Sequence, residues 1–135
     1  MRLAALLLLL AAPVAAGEVE AHIDLSDQEM TVFLDGAELY RWPVSTARAG
    51  KFTPIGLYHV QSMKRMHYST LYHNAPMPWS IFFSGNFAIH GTDQTARLGT
   101  PASAGCVRLH PDDAETLYRL VQQTGRANTL ISIEK

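Results

Sequence analysis

Two short segments carry the residues able to make and break bonds: Ile89-His90-Gly91-Thr92 and Ser103-Ala104-Gly105-Cys106-Val107-Arg108-Leu109. Cys106 is the only cysteine of the chain. A cysteine attacks as its thiolate, so it needs a neighbouring base or positive charge to bring down a thiol pKa of about 8.5. Histidine titrates near neutrality and is the usual base. His90 closes an apolar stretch that reads as a strand, where a ring is held rigidly at the rim of a sheet. Gly105, just ahead of the thiol, lets the backbone turn tightly, so that neighbouring N–H groups converge on a developing oxyanion. The pattern is that of a Cys–His acyl-transfer site with a loop-borne nucleophile, and a lowered Cys106 pKa is expected with it. On the residues alone a second reading stands beside it: a core cysteine acting as a small hydrophobe, and an unrelated histidine. No CxxC occurs, which excludes a thioredoxin-like redox site and cysteine-based zinc sites.

The elements that must position these residues are mostly strands. Val19, Ala21, Ile23 and Leu25 alternate onto one face of a first strand. Val32 and Leu34 lead into Asp35-Gly36, a strong hairpin signal before Leu39, Trp42 and Val44. A turn over Ala49 to Pro54 precedes a strand expected at Ile55–Met63. Residues 64–78 read as irregular, with His67, Tyr68, Tyr72 and His73 forming a flap over the site. Trp79–Phe83 and Phe87–His90 read as buried strands, with Phe82, Phe83 and Phe87 in the core, and Asn128–Glu134 as a short C-terminal strand. One helix is expected over 111–124: Pro111 opens it, Asp112, Asp113 and Glu115 suit its N-terminal dipole, and Gly125 closes it. The expected fold class is a mostly β domain with one main helix.

The ends and the charge narrow the setting. Met1-Arg2, the apolar run Leu3–Ala12 and the small residues up to Gly17 have the layout of a secretory signal peptide, with cleavage expected after Ala16. The run is too short for a transmembrane helix of about 20 residues, so no membrane insertion is expected after cleavage. Residues 17–135 are then a single domain, long enough to bury a core without disulfides. The chain carries 11 Lys+Arg against 12 Asp+Glu for a net charge of −1, and losing Arg2 with the leader takes this to −2. That balance excludes the clustered basic excess of a general nucleic-acid binder. His22, His59, His67, His73 and His110 match no tight ligand spacing, so no metal site is expected.

His90-Gly91-Thr92 followed by Ser103-Ala104-Gly105-Cys106-Val107-Arg108 resembles the signature of the L,D-transpeptidase catalytic domain, a family that remodels bacterial peptidoglycan. Met77-Pro78-Trp79-Ser80-Ile81-Phe82-Phe83 is similar to the run that leads into the family's His-Gly-Thr strand, and Thr53-Pro54-Ile55-Gly56 to its Thr-Pro-x-Gly turn. The likeness spans roughly residues 21–121, with four pieces in the family's order.

The resemblance implies a sandwich or barrel-like catalytic fold and assigns roles residue by residue. Cys106 would attack the carbonyl of the third stem-peptide residue and expel the terminal D-alanine; His90 would be the base, oriented by a main-chain carbonyl such as that of Gly91. N–H groups around Ala104, Gly105 and Cys106 would form the oxyanion hole, and Thr92, Ser103 and Trp79 would line the pocket. Arg108 would fix the loop or meet a substrate carboxylate. An amine of a second stem peptide would accept the acyl group, giving a 3-3 cross-link. No metal or organic cofactor is implied, and carbapenems are expected to acylate the cysteine. Many members carry a second histidine where this chain has Ala104, so whatever that ring contributes is missing here. A hydrolase on the same scaffold, trimming stem peptides or cutting a protein–wall linkage, and a non-catalytic wall-binding protein are the competing functions. Export to the periplasm is the expected location.

Overall fold

Alternating apolar residues turn to one side of a strand, and in the computed structural model, which describes residues 17–135, the first strand does this. β1 (Val19–Asp24) buries Val19, Ala21 and Ile23 and pairs antiparallel with β2 (Glu29–Leu34), which buries Met30 and Val32. Asp35 and Gly36 join β2 to β3 (Ala37–Pro43) with φ of 50° and 82°, the paired positive values that a tight hairpin matched to strand twist requires. β4 (Gly56–His59) pairs antiparallel with β9 (Thr129–Glu134), and β9 runs parallel to β1. The resulting five-stranded sheet has the order β3-β2-β1-β9-β4.

A second, four-stranded sheet holds β5 (Ser62–Tyr68), β6 (Pro76–Ser84), β7 (Phe87–Gly91) and β8 (Val107–Leu109) in that order, antiparallel except for the parallel β7–β8 pair. α1 (Pro111–Thr124) packs Ala114, Leu117, Tyr118 and Val121 onto β6 and β7. The His110 ring accepts the Asp112 N–H at 3.1 Å as the helix cap, and the Gly125 N–H closes the far end on Val121 O at 2.8 Å. The main core lies between the inner faces of both sheets and the helix: Ile23, Met30, Ile131 and Ile133 meet Ile81, Phe83, Ile89, Val107 and Leu117. Each such side chain taken fully out of water contributes about 1.5–3 kcal/mol.

The expected helix, the first hairpin and the β6, β7 and β9 strands are present at nearly the expected bounds. Two expectations are corrected. Ile55–Met63 is not one strand: β4 ends at His59 and β5 begins at Ser62 in the other sheet, so the chain changes sheets at Val60-Gln61. Residues 64–78 are not irregular throughout; β5 and β6 form a long hairpin across them, leaving residues 69–75 as its turn. The leader expected at residues 1–16 lies outside the described residues. Among the described residues no helix is long and apolar enough to cross a membrane.

The β5–β6 hairpin changes face along its length. Met63 pairs with Ile81, and both pack on the main core; His67 pairs with Met77, and both line the opposite side. Residues four apart in an unbroken strand share a face. Trp79, between Met77 and Ile81, has φ of +56° and resets the alternation. A bulky side chain in this left-handed region carries strain on the order of 1–3 kcal/mol. The Trp79 ring is held edge-on to Tyr118 at 5.3 Å, with the guanidinium groups of Arg119 and Arg65 at 5.2 and 5.9 Å from its centre.

Candidate active site

Paired residues on neighbouring strands point to the same side of a sheet. In the β7–β8 register Ile89 faces Val107, and both sink into the main core. His90 and Arg108, the next pair, therefore point to the outer side, as do Ala88 and Cys106 one alternation earlier. Cys106 packs there with Met77, Phe82 and Ala88 in a small apolar cluster. Both candidate reacting groups thus open into one cleft, which His90, Thr92, Ser103, Ala104, Gly105, Cys106 and Arg108 line together. The far wall is the hairpin tip, with His67, Leu71, Tyr72 and Met77; this is the expected flap, although Tyr68 and His73 are not part of that wall.

The loop carrying Cys106 is fastened by two hydroxyls. Ser103 is fully buried; its Oγ donates to Cys106 O at 2.6 Å and accepts the Gly105 N–H at 3.0 Å. Thr53 Oγ1 donates to Gly105 O at 2.8 Å and accepts the Ala47 N–H at 3.1 Å. Thr53 belongs to the Thr-Pro turn noted in the sequence, but its grip on the cysteine loop becomes visible only in the fold. Gly105 sits at φ +143°, and a Cβ there would lie 2.6 Å from Phe87 Cε1 and 2.9 Å from Phe52 O, so only glycine fits. Because the Gly105 N–H already serves Ser103, the expectation that it donates to an oxyanion is corrected; its role is to shape the loop.

His90 is buried, and its Nδ1 lies 2.7 Å from Gly91 O. Nδ1 is the donor in that contact, since a carbonyl only accepts; Nε2 is therefore the unprotonated nitrogen of the neutral ring. Gly91 also packs tightly under α1: a Cβ there would lie 3.0 Å from Pro111 Cα. Burial pushes the His90 pKa down from 6.5 to about 4; the Gly91 hydrogen bond opposes this, and the charges of Arg108 and His67 add to it. Burial also pushes the Cys106 thiol up, with the Ala88 main chain and the Arg108 charge pulling the other way. The expectation of a lowered thiol pKa is thereby corrected: at rest the pair is a neutral thiol and a neutral imidazole. The thiol contacts Asn86 O at 3.7 Å.

The remaining expected site residues divide. Thr92 is buried, donating its N–H to Leu109 O at 2.9 Å and accepting the Gln94 N–H on Oγ1 at 3.0 Å. Arg108 is held through its backbone by mutual bonds with Ser45, at 2.9 and 3.0 Å, while its guanidinium makes one long contact of 3.5 Å to Gln94 Oε1. Loop fixing therefore rests on Ser103 and Thr53 rather than on that guanidinium. Trp79 does not line the cleft; its left-handed backbone turns the ring to the helix side, which corrects the pocket-lining expectation. Asn86, Asp93 and Gln94 line the cleft without having been singled out in the sequence; as ordinary polar residues they carry no spacing signal, whereas Phe87, expected in the core, is only partly buried against it and borders the cleft. Among the described residues no group of three or more His, Cys, Asp or Glu is placed to hold a metal ion.

The chain is thus a β domain of two mixed sheets and one main helix, with a cysteine and a main-chain-oriented histidine opening into one cleft. The profile of the YkuD L,D-transpeptidase catalytic domain matches residues 18–131, and the chain belongs to that family. It is similar to the protein YkuD of Bacillus subtilis (strain 168), with 23% identity over 103 residues covering 73% of this chain and 58% of that protein. In three dimensions it is similar to an L,D-transpeptidase from Mycobacterium smegmatis, with a TM-score of 0.79 at 20% identity, covering 88% of this chain and 59% of the other. It is also similar to the L,D-transpeptidase LdtMt1 in complex with imipenem, with a TM-score of 0.77 at 20% identity, covering 87% of this chain and 59% of that one. The chain thus spans just under three fifths of the length of each of these relatives.

Proposed function

We propose that this chain is an exported L,D-transpeptidase that acts on peptidoglycan stem peptides through a Cys106 acyl-enzyme. The observation that carries the reading is the common face of β7 and β8: Cys106 and His90 open into one cleft, and the 2.7 Å contact of His90 Nδ1 with Gly91 O leaves Nε2 free to take a proton. The thiol turns from Asn86 O, His90 Nε2 takes its proton, and Sγ bonds to the carbonyl carbon of the third stem residue. The N–H groups of Ala104 and Cys106 are the loop donors for the oxyanion, since that of Gly105 is engaged. As the carbon–nitrogen bond breaks, His90 returns the proton to the amine of the departing D-alanine. An amine of a second stem peptide then attacks the thioester, giving its proton to His90; a 3-3 cross-link forms and the thiol is restored. General acid–base assistance of this kind contributes about 10²–10⁴-fold in rate. Residues 1–16 act as the export leader, cut after Ala16, and the periplasm is the site of action.

The test is incubation of residues 17–135, wild type and Cys106→Ala, with disaccharide-tetrapeptide, read by mass spectrometry, alongside intact-protein mass after exposure to a carbapenem. Dimers with loss of D-alanine and a carbapenem adduct on wild type alone are expected. Shortened monomers without dimers would assign the acyl group to water and make the protein a hydrolase. Absence of both adduct and turnover would overturn the acyl-enzyme and favour a wall-binding protein.

A further inference from the structure

Transfer to an amine leaves one proton over. A lysine-type amine has a pKa of about 10.4, so at neutral pH only about one molecule in 2,500 is the free base and the rest are ammonium. A thioester and an ammonium become an amide, a thiol and one proton. The proton that His90 takes from nitrogen goes back to sulfur, so His90 ends each transfer as it began. The extra proton has to leave by another group.

The charged and titratable side chains facing the cleft, among the described residues, are His67 and Tyr72 of the hairpin, His90 of β7, Asp93 beyond it, Cys106 and Arg108. A guanidinium holds its proton, a carboxylate loses its own below neutrality and a phenol above it, and the sulfur is tied up in the thioester. Histidine is the side chain that both takes and gives up a proton near neutral pH. His90 is already in use, which leaves His67.

Its placement suits the task. His67 lies on β5 opposite Met77, and its ring stands edge-on to Phe82 at 5.1 Å, while Phe82 packs with Cys106. Its charge reaches His90 across the cleft. Among the described residues the hydrogen-bonded histidine rings are those of His22, His90 and His110, so the ring nitrogens of His67 are uncommitted. His90 is buried, whereas His67 is half-buried and keeps a path to water.

We propose that His67 is a second base of the cleft, taking the first proton of an ammonium acceptor and releasing it to solvent. The ammonium donates to a His67 ring nitrogen and the proton crosses. The freed lone pair forms the carbon–nitrogen bond, the carbon–sulfur bond breaks, and His90 carries the second proton from nitrogen to sulfur. His67 then passes the first to water. This rests on the transpeptidase reading above and names its acceptor class, a charged alkyl amine.

The test lets two acceptors compete for one acyl-enzyme. Disaccharide-tetrapeptide, which brings an ammonium acceptor, is incubated together with hydroxylamine, a free base at neutral pH, and dimer and hydroxamate are quantified by mass spectrometry. Their ratio is independent of how fast the acyl-enzyme forms, and hydroxylamine releases no extra proton on transfer. His67→Gln, shown to be folded by circular dichroism and thermal melting, is expected to lower the dimer-to-hydroxamate ratio about tenfold or more at neutral pH. Wild-type and variant ratios are expected to converge as pH rises towards the pKa of the amine, where no base is needed. An unchanged ratio overturns the proposal. So does a deficit that stays constant with pH, which would make His67 a binding contact. Hydroxamate without dimer from the wild type keeps the acyl-enzyme but overturns cross-linking and the role of His67 together. Neither product from the wild type overturns the acyl-enzyme itself, and this role with it.

Discussion

If His90 is the base and burial holds its pKa near 4, acylation of the protein has an acid limb far below that of an ordinary histidine. The perturbation is pH, and the readout is the second-order rate constant for Cys106 acylation by a carbapenem, followed by intact mass. This constant reports groups of the free enzyme. With a pKa of about 4, roughly 97% of His90 is neutral at pH 5.5; at its ordinary 6.5 only about a tenth would be. The rate at pH 5.5 is therefore expected to stay within about 10% of its pH 7 value, with its midpoint near 4. The same burial leaves a signature in stability. Between about 4 and 6.5 the unfolded chain binds a proton that the folded chain refuses, so stability rises with pH across that window. The contribution is fully present above 6.5 and is lost as pH falls through about 4, for a total of roughly 3 kcal/mol. An acylation midpoint near 6.5, with no His90-dependent loss of stability between pH 6 and 4, would refute the neutral buried base.

Gly105→Ala forces a Cβ to within 2.9 Å of Phe52 O at φ +143°, and backbone strain plus overpacking are expected to cost about 2–5 kcal/mol, read as a fall in thermal midpoint on the order of 10 °C, with loss of acylation. Trp79→Ala removes the contact with Tyr118 and is expected to cost about 2–4 kcal/mol in urea unfolding; Trp79→Gly also relieves the φ of +56° and should cost less than alanine, and a larger loss with glycine would speak against stored strain.

What was legible in the sequence was what local physics decides. Asp35-Gly36 announced a turn because both residues tolerate positive φ, and Pro111 and Gly125 marked the helix because each sits where its backbone restriction or freedom is useful. Cys106 and His90 stood out in the sequence because few residue pairs can perform acyl transfer, and the fold brings both to one cleft. β5 was missed because Lys64, Arg65 and Met66 are exposed in succession on an edge strand, without the alternation that a half-buried strand shows. The side of the sheet that Trp79 would take was not legible, since one left-handed residue reverses the count on which face assignment depends. The direction of the thiol pKa shift was not legible for a related reason: it depends on how deeply Met77 and Phe82 of β6 and Ala88 of β7 bury the sulfur, and both strands are remote in sequence from Cys106. Neither parallel pairing, β1 with β9 or β7 with β8, leaves a local trace.

The first of those pairings bears on how the domain is made. β9 lies between β1 and β4, and Val19 finds its partner in Thr129, 110 positions later. Until residues 129–134 arrive, β1 and β4 each present an open edge, and Val19, Ala21 and Ile23 lack the neighbouring strand that completes their cover. Closing so long a loop comes before any of its contacts can reward it, which places this topology among the slow folders. A nascent chain released short of β9 has a sheet split in two, and its exposed edges, rather than its cysteine loop, would decide its fate.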